Sequence, residues 1–521
     1  MNCRLLYAIS LLFAGIVSLV NADSSSVIFD DTKIHRYDLQ FYCTDWKDSL
    51  EYHKNLDEEC IPARVVYHVS ATDSLVYDSV GVRYKGNSSY AYASKSDKKP
   101  YKFSFDEYKS DQRFYGIKTL NFSNGAKDPT MMREKISYDI IRNYMKAPRA
   151  AFATISVDSE YIGLYTQVEQ IDKLFLKENF KDKLGNLYKA SDDGASMLYR
   201  GDTISGYSAE WEIKTNEDIC DWTDLIGLTK KLSDSSGSDI VASVKNILNL
   251  DNICRYFAFN MVFSNFDSYT GSGRNFYLYH DSTDNIFTLI PWDLNLSFGA
   301  YSNSWNVITN DIINVANLKT RPLNRQIIQN DSLRQLYLGY IESMLNGPGS
   351  SEAVAALANK YKLLIDSLVS ADSNKLHSYN DFVKNIDSDV SVVDGITRVT
   401  IPGLVSFCTK RAAALKTQLA QYVPVRRTLT NAVRSAQAIT AVSFTGSKIM
   451  HLNYVLERNQ YNVSIEITGI NGQKILSVND CSSESGKHQV SLNTGNIAPG
   501  MYMIRLLSGN TIIGKTSILV M

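Results

Sequence analysis

The chain has 521 residues, of which 44% are hydrophobic and 21% are charged, a composition typical of a globular protein. This length predicts roughly two to four domains. The formal net charge is −1 and there is no block of basic residues, so nothing in the sequence indicates a nucleic-acid partner.

The N-terminus has the pattern of a secretory signal peptide. Arg4 precedes an apolar run at 5–20, and Val20-Asn21-Ala22 then offers small residues for cleavage. We therefore assign 1–22 to a signal peptide. The run is too short for a membrane-spanning helix, and no later segment is long and apolar enough to be one. The mature protein is predicted to be secreted or on the cell surface, and not an integral membrane protein.

Six cysteines follow the signal peptide at wide spacing, which excludes a disulfide-dense scaffold. Export permits disulfides. Cys43 and Cys60 form the nearest possible pair, and buried free thiols are the equal alternative. No CxxC or Cys/His cluster indicates zinc.

Residues 27–169 are predicted to be rich in strands, because apolar and polar residues alternate in short runs rich in Val and Tyr. Turn-forming residues occupy 86–89. Asp128-Pro129-Thr130 indicates the start of one helix, at about 131–144. The predicted strands are 27–42, 64–68, 74–85, 98–105, 120–124, 151–157 and 161–169.

Residues 170–422 are predicted to be mainly helical, so that 27–422 divides into a strand-rich lobe and a helix-rich lobe. Two strand-like insertions interrupt the helices, at 185–190 and 209–215. The predicted helices are 170–178, 222–232, 240–248, 252–263, 325–345, 351–370, 379–386 and 404–422.

A predicted hairpin carries an acidic residue at each end. Asp267 follows the apolar helix, Asn275 opens the strand NFYLY, and the strand IFTLI ends just before Pro291-Trp292-Asp293. A strand–turn–strand unit brings its ends together. Two carboxylates and an amide in one volume can hold a divalent cation and orient a nucleophile, as in phosphoryl transfer. An acidic hairpin with a solvated turn is the alternative.

The sequence changes character after a predicted linker at 423–437. From 438 to 521, short alternating strands are separated by turn signals such as Asn471-Gly472. This pattern predicts a small all-β sandwich without a catalytic constellation.

Residues 27–422 contain a series of distinctive segments: FDDTKIHRYDL, VGVRYKGNSSY, KKPYKFSFD, NFSNGAKDPTMMREKISYDI, GLYTQVEQIDKLFLKENF, GNLYKA and NFDSY…RNFYLY…IPWDLNLSFG. In content and order, these segments resemble the CotH kinase family of secreted or surface-associated atypical protein kinases. The resemblance implies an α+β fold, with a two-lobed atypical protein-kinase-like domain at 27–422. It also implies ATP with Mg²⁺ or Mn²⁺, and transfer of the γ-phosphate to Ser or Thr of an extracellular or envelope protein.

The C-terminal segments ITGINGQKI, SGKHQVSL, IAPGMYMIRLLSGN and GKTSILV resemble the sorting domain of type IX secretion cargo. This resemblance implies that the type IX secretion machinery is a partner and that 438–521 directs export or surface attachment. A generic β-sandwich that binds a surface or a carbohydrate is the alternative.

The kinase resemblance implies roles for the residues of the hairpin. Asp267 resembles the catalytic-loop aspartate, which orients the substrate hydroxyl and accepts its proton. Asn275 and Asp293 correspond to the metal ligands, with Asp293 in the place of the DFG-type aspartate.

The strand-rich lobe is expected to contact the nucleotide. Lys99 or Lys102 would neutralise phosphate charge, with Lys99 slightly favoured and Lys98 expected to be solvated. The remaining candidates are Glu134 as the partner of that lysine, Arg83, Lys85 and Asn87 in a phosphate-covering loop, and Glu169 near adenine. The alternatives are a surface charge pair for Glu134, a structural hairpin turn for the loop with Arg83, Lys85 and Asn87, and a structural role for Glu169.

Two departures from the kinase pattern leave other functions open. No HRD triplet precedes Asp267, and Asn295 stands where a second acid is expected. The main alternative is a non-catalytic surface or assembly protein that uses the kinase-like fold for binding. A structural Ca²⁺ site in the acidic cluster is a third reading.

Overall fold

The computed structural model describes residues 24–234, 239–315 and 317–422, and in the C-terminal part 439–445, 449–456, 463–469, 473–478, 484–497, 500–508 and 511–520. The predicted signal peptide, the linker at 423–437 and the turn at Asn471-Gly472 lie outside these residues. The chain divides into two compact units, Met1–Leu419 and Ala420–Met521. Helices and sheets are mixed, so the fold is α+β.

Seven strands of the first unit close into a barrel, in the order β1-β2-β3-β4-β5-β7-β6. All neighbouring strands pair antiparallel except β1 and β6, which pair parallel and close the barrel. The strands are β1 His35–Phe41, β2 Ile61–His68, β3 Ser74–Tyr84, β4 Tyr101–Ser104, β5 Thr119–Ser123, β6 Ala150–Val157 and β7 Glu160–Glu169.

Alternation along the strands separates the barrel core from the residues that face outward. In β4, Tyr101 and Phe103 are fully buried in the aromatic core, whereas Lys102 between them is only partly buried. Successive side chains of a strand point to opposite faces. The same two-residue period places Val82 and Tyr84 of β3 in the core and leaves Arg83 on the outside.

A second, four-stranded sheet has the order β11-β10-β8-β9 and carries the predicted hairpin as β10 and β11. Its strands are β8 Leu187–Ala190, β9 Trp211–Ile213, β10 Phe276–Asp281 and β11 Ile286–Pro291. The α-helices of this unit are α1 Trp46–Leu56, α2 Ser88–Tyr92, α3 Arg133–Ile141, α4 Lys173–Asn179, α5 Thr223–Asp234, α6 Asp239–Val244, α7 Leu250–Val262, α8 Pro322–Gln329, α9 Asp331–Leu345, α10 Ser351–Ala371, α11 Tyr379–Lys384 and α12 Leu404–Tyr422.

Several local predictions differ from the structure. The segment between Cys43 and Cys60 contains helix α1, and a further hairpin, β12 Val390–Asp394 with β13 Thr397–Ile401, was not predicted. The predicted helix 325–345 is interrupted at Asn330, whose side chain accepts a hydrogen bond from the Leu333 N–H and so caps the start of α9. Strand 27–42 begins only at His35, after a 3₁₀ turn at Ser24–Phe29.

The prediction that Lys98 is solvated is wrong. Lys98 is 1% exposed, and its Nζ lies 2.6 Å from Oδ2 of Asp372, a residue that directly follows helix α10. Burial lowers the pKa of Lys98, and the Asp372 carboxylate opposes that effect. This ion pair ties the start of the β4 segment to the helical part of the unit. No pattern near Lys98 could reveal a partner 274 residues away.

Replacing Lys98 by Met is expected to destabilise the first unit by about 3–5 kcal/mol, because it leaves the Asp372 carboxylate buried without its counter-charge. Denaturant unfolding followed by tryptophan fluorescence measures this, since all five tryptophans lie in the first unit. Lys47→Met is the control: Lys47 pairs with Asp97 at 2.7 Å on the surface, and its loss should cost less than about 1 kcal/mol. Equal losses in the two variants would contradict the prediction.

The second unit consists of antiparallel strands in two sheets, β14-β15-β18 and β17-β16-β19-β20, that share one apolar core. The strands are β14 Ile439–Thr445, β15 Ile449–Leu456, β16 Val463–Gly469, β17 Lys474–Val478, β18 Gly486–Asn493, β19 Gly500–Ser508 and β20 Thr511–Val520. Met450, Ile465, Ile467, Ile504 and Leu506 are among its fully buried residues.

The cysteines of the described residues are free thiols, so the Cys43–Cys60 disulfide is not formed; Cys481 lies outside the described residues. In the part of the chain that the structure describes, no helix combines the length and the apolar character needed to cross a bilayer.

Candidate active site

The β10–β11 hairpin brings Asp267, Asn275 and Asp293 to one end of the second sheet. Phe276 pairs with Pro291 at the open end of the hairpin, and the Trp292 N–H donates to the Asn275 carbonyl at 3.2 Å. The Asn275 Nδ2 donates to the Asp267 backbone carbonyl at 2.8 Å and to Asp267 Oδ2 at 3.0 Å. Because Asn275 uses its amide nitrogen on Asp267, its Oδ1 remains as an acceptor.

These three residues line a cleft of about 720 Å³. Arg83, Lys85 and Lys102 reach the cleft from the barrel. Lys189 of β8, Glu212 of β9 and Lys214, which directly follows β9, also line the cleft. Other lining residues are Glu58, Asn87, Asn121, Lys127, Gln170, Asp192, Asp193, Arg274, Trp292 and Asn295. The cleft is therefore polar and carries charges of both signs.

The barrel contributes a row of polar side chains across three adjacent strands. Arg83 of β3 lies directly opposite Lys102 of β4, and Lys102 lies opposite Asn121 of β5. Directly opposite residues share a face of the sheet, which explains why all three line the cleft while their strand neighbours fill the core. Arg83 also forms an ion pair with Glu58, with 2.6 Å between Nη1 and Oε2.

Lys102 has an unusually cationic surrounding. The pKa of Lys102 is lowered to about 8, mainly by burial and also by the nearby charges of Arg83, Lys214 and Lys85, whereas Cys60 opposes the change. A group of cations held this close together is stabilised when an anion binds among them.

Lys85 faces two carboxylates, those of Asp293 and Glu134. Burial lowers the pKa of Lys85, and both acids oppose that effect. Burial raises the pKa of Glu134 to about 8, with Asp293 adding to the rise and Lys85 opposing it. The positive charge of Lys85 therefore acts on both carboxyl groups. Glu134 Oε2 has no hydrogen-bond partner among the described residues.

The surrounding groups compensate the negative charge of Asp293 only in part. Burial raises the pKa of Asp293, Lys85 opposes the rise, and the Asp267 carboxylate adds to it. Its Oδ1 is buried and has no hydrogen-bond partner within the described part of the chain. This unsatisfied carboxylate oxygen belongs to a cleft that Asp267 and Asn275 also line. Carboxylate and amide oxygens are the ligands that Mg²⁺ or Mn²⁺ prefers, so the residues present fit such an ion.

The backbone at this end of the hairpin is strained. Asn275 has φ +59° and Asp293 has φ +50°, in the left-handed region that residues other than Gly rarely occupy. Such conformations cost of order 1–3 kcal/mol each, and they cluster at functional sites.

The structure does not bring Lys99 and Glu169 into the cleft. The Lys99 Nζ donates to the carbonyls of Ala93 and Ser94, at 2.8 and 3.2 Å, and Lys99 lines a separate pocket of about 490 Å³. Glu169 pairs with Arg149 at 2.5 Å, while the next residue, Gln170, lines the cleft. Lys99 precedes β4 and lies three residues before Lys102, so the two-residue period of a strand would not place it on the same face as Lys102.

Sequence reasoning missed the contributions of Lys189, Glu212 and Lys214. The facing pair Lys189 and Glu212 occupies matched positions of β8 and β9, and Lys189 Nζ lies 3.5 Å from Glu212 Oε1. The alternation in YKA and WEI could have indicated that these charges share a face, but their pairing across 22 intervening residues could not be read locally.

The fold and the site define an α+β protein whose cleft joins a group of cations to carboxylate and amide oxygens of the kind that suit a metal ion. Residues 82–415 match the family model described as CotH kinase protein. Since this match covers more than half of the chain, the protein belongs to the CotH kinase protein family, as the sequence resemblance indicated.

Two further similarities accompany the family match. Residues 444–520 match a secretion system C-terminal sorting domain, which indicates an exported or surface protein handled by the type IX secretion machinery. The chain is also similar to the inner spore coat protein H of Bacillus subtilis (strain 168). The two are 24% identical over 306 residues, which cover 57% of this chain and 78% of the relative.

Proposed function

We propose that this protein is an exported atypical kinase that transfers the γ-phosphate of ATP to a Ser or Thr hydroxyl of an extracellular or envelope protein. The barrel would act as the strand-rich, nucleotide-covering lobe of a two-lobed kinase-like domain, and the helical part as the second lobe. The C-terminal unit would be the all-β sandwich that directs sorting. A signal peptide at 1–22 would start export.

The observation that carries this proposal is the meeting of opposite charges in one cleft. Lys85 and Lys102 can neutralise phosphate oxygens, and Asp293 with Asn275 Oδ1 can hold Mg²⁺ or Mn²⁺. The ion, when bound, supplies neutralisation of polyphosphate charge.

The chain's own residues divide the chemistry between them. Asp267 orients the acceptor hydroxyl and takes its proton as the oxygen attacks the γ-phosphorus, while the bond to the β-phosphate oxygen breaks and ADP leaves. The Asn275 Nδ2 keeps Asp267 in place through its two hydrogen bonds. The negative charge of Glu134 would favour the charged form of Lys85 beside the phosphates, and Arg83 and Lys102 extend the positive surface along the cleft.

A non-catalytic binding protein is the second candidate, and Asn295 is the observation that favours it. This residue lines the cleft with a neutral amide where the kinase pattern has a second acid. Such a protein would bind nucleotide with a divalent ion and release no ADP.

Label transfer from γ-labelled ATP, together with ADP release, tests the kinase proposal on the full-length protein, with dephosphorylated casein and water as acceptors. We expect turnover that requires Mg²⁺ or Mn²⁺ and that falls by about 10²–10³-fold in Lys85→Met, because a cation aimed at developing phosphate charge is lost. Lys99→Met is the matched control, since Lys99 is a nearby lysine outside the cleft, and its rate per folded molecule should stay within about twofold.

Turnover that survives chelation of divalent ions, or equal losses in the two lysine variants, would contradict the kinase proposal. Divalent-dependent nucleotide binding without any ADP release would instead favour the binding protein.

A further inference from the structure

Tyr138 connects the helix that carries Glu134 to the backbone of Asp293. It follows Glu134 by four residues on α3, so both side chains lie on the same face of this helix. The Asp293 backbone N–H donates to the Tyr138 hydroxyl at 3.1 Å. Tyr138 is fully buried, and eight of the nine residues of α3 are buried as well. The hydroxyl is therefore presented to Asp293 from a well-packed support.

This hydrogen bond acts at a strained point of the chain. Asp293 holds the left-handed backbone conformation with φ +50°, and such a conformation persists only when the surroundings determine it. Fixing the amide fixes the peptide plane that enters Asp293, and with it the direction in which the carboxylate leaves the backbone.

We propose that Tyr138 is a positioning residue that holds Asp293 in its cation-binding conformation through the backbone amide. Helix α3 then sets two parts of the site at once, Glu134 beside Lys85 and the carboxylate of Asp293. This inference deepens the proposed function and rests on it. The Tyr138 hydroxyl acts through Asp293 and needs no contact with the nucleotide.

Tyr138→Phe isolates the effect, because it keeps the ring in the core and removes only the acceptor of the Asp293 amide. In the nucleotide-free protein, hydrogen exchange at the Asp293 amide, resolved by fragmentation mass spectrometry, should become about tenfold faster. The Mg²⁺ concentration that half-saturates the thermal shift given by a non-hydrolysable ATP analogue should rise about tenfold, with the shift at saturating Mg²⁺ retained.

Tyr165→Phe provides the matched control. Tyr165 of β7 is also fully buried, and its hydroxyl has no hydrogen-bond partner among the residues that the structure describes. Its loss should change neither the exchange of the Asp293 amide nor the Mg²⁺ midpoint. A loss of packing alone would affect both tyrosine variants.

Wild-type exchange and an unchanged Mg²⁺ midpoint in Tyr138→Phe would overturn the inference, and so would equal changes in the two variants. If the wild-type protein shows no Mg²⁺-dependent shift with the ATP analogue, the proposed function fails. The exchange rate still decides the role of Tyr138 in that case, since faster exchange supports it and unchanged exchange refutes it.

Discussion

Replacing Asp267 by Asn is expected to lower the rate of phosphoryl transfer by about 10²–10⁴-fold, the range that a positioned general base contributes. The amide has nearly the shape of the carboxylate but cannot take the proton of the acceptor hydroxyl. Because Asp267 is proposed to act on the acceptor and not on the phosphates, the affinity for the ATP analogue with Mg²⁺ should stay within about twofold. Single-turnover label transfer and calorimetric titration measure the two quantities separately.

Asp193→Asn is the control for the Asp267 result. Asp193 also lines the cleft, is exposed and undergoes the same change of charge, so its variant should keep the wild-type transfer rate. A transfer rate in Asp267→Asn equal to that of Asp193→Asn would show that Asp267 is not the base. If the loss of negative charge in the cleft were itself the cause, both variants would transfer phosphate more slowly than the wild type.

Asp293→Asn is expected to remove the effect of the divalent ion. The charge that would hold Mg²⁺ or Mn²⁺ is lost, so transfer should fall by about 10²–10³-fold. The thermal shift given by the ATP analogue should no longer increase when Mg²⁺ is added. Differential scanning fluorimetry with and without Mg²⁺ measures this directly.

Without ligands, the stability of Asp293→Asn is not expected to fall as its activity does. Asp293 is half-buried, its pKa is raised, and its buried Oδ1 lacks a hydrogen bond in the described residues. A neutral side chain there should leave the midpoint of ligand-free unfolding unchanged or raise it, as at other sites where function opposes stability. A lowered midpoint together with a retained Mg²⁺ effect would identify Asp293 as a structural residue.

Much of the strand-rich part could be predicted because its signals are local. Alternation of Tyr101, Lys102 and Phe103 separates the core from the cleft without reference to any other segment. The hairpin that joins Asn275 to Asp293 also follows from two short strands with a polar turn between them. Local alternation therefore identified Lys102 and the acidic residues that the structure brings to the cleft.

The remaining features depend on contacts between distant segments. Lys99 was slightly favoured over Lys102, but Lys102 is the lysine that lines the cleft, between Arg83 and Asn121 of the neighbouring strands. Lys98 is buried because Asp372 meets it from a distant helix end. The hydrogen bond between the Asp293 amide and Tyr138 spans 155 residues. In each case the position of the side chain depends on a residue from a distant segment. Local sequence patterns do not reveal such a contact.

The most direct test of the central claim is a crystal structure of the full-length protein with Mn²⁺ and a non-hydrolysable ATP analogue, with the ion located from its anomalous scattering. We predict an anomalous peak roughly 2.1 Å from oxygens of Asp293 and Asn275, with the analogue's phosphates on Lys85 and Lys102. His53, Asp57 and Glu59 offer ligand atoms that lie within 4.8 Å of one another. An ion held only by this group, with the nucleotide outside the cleft or beside Lys99, would contradict the account.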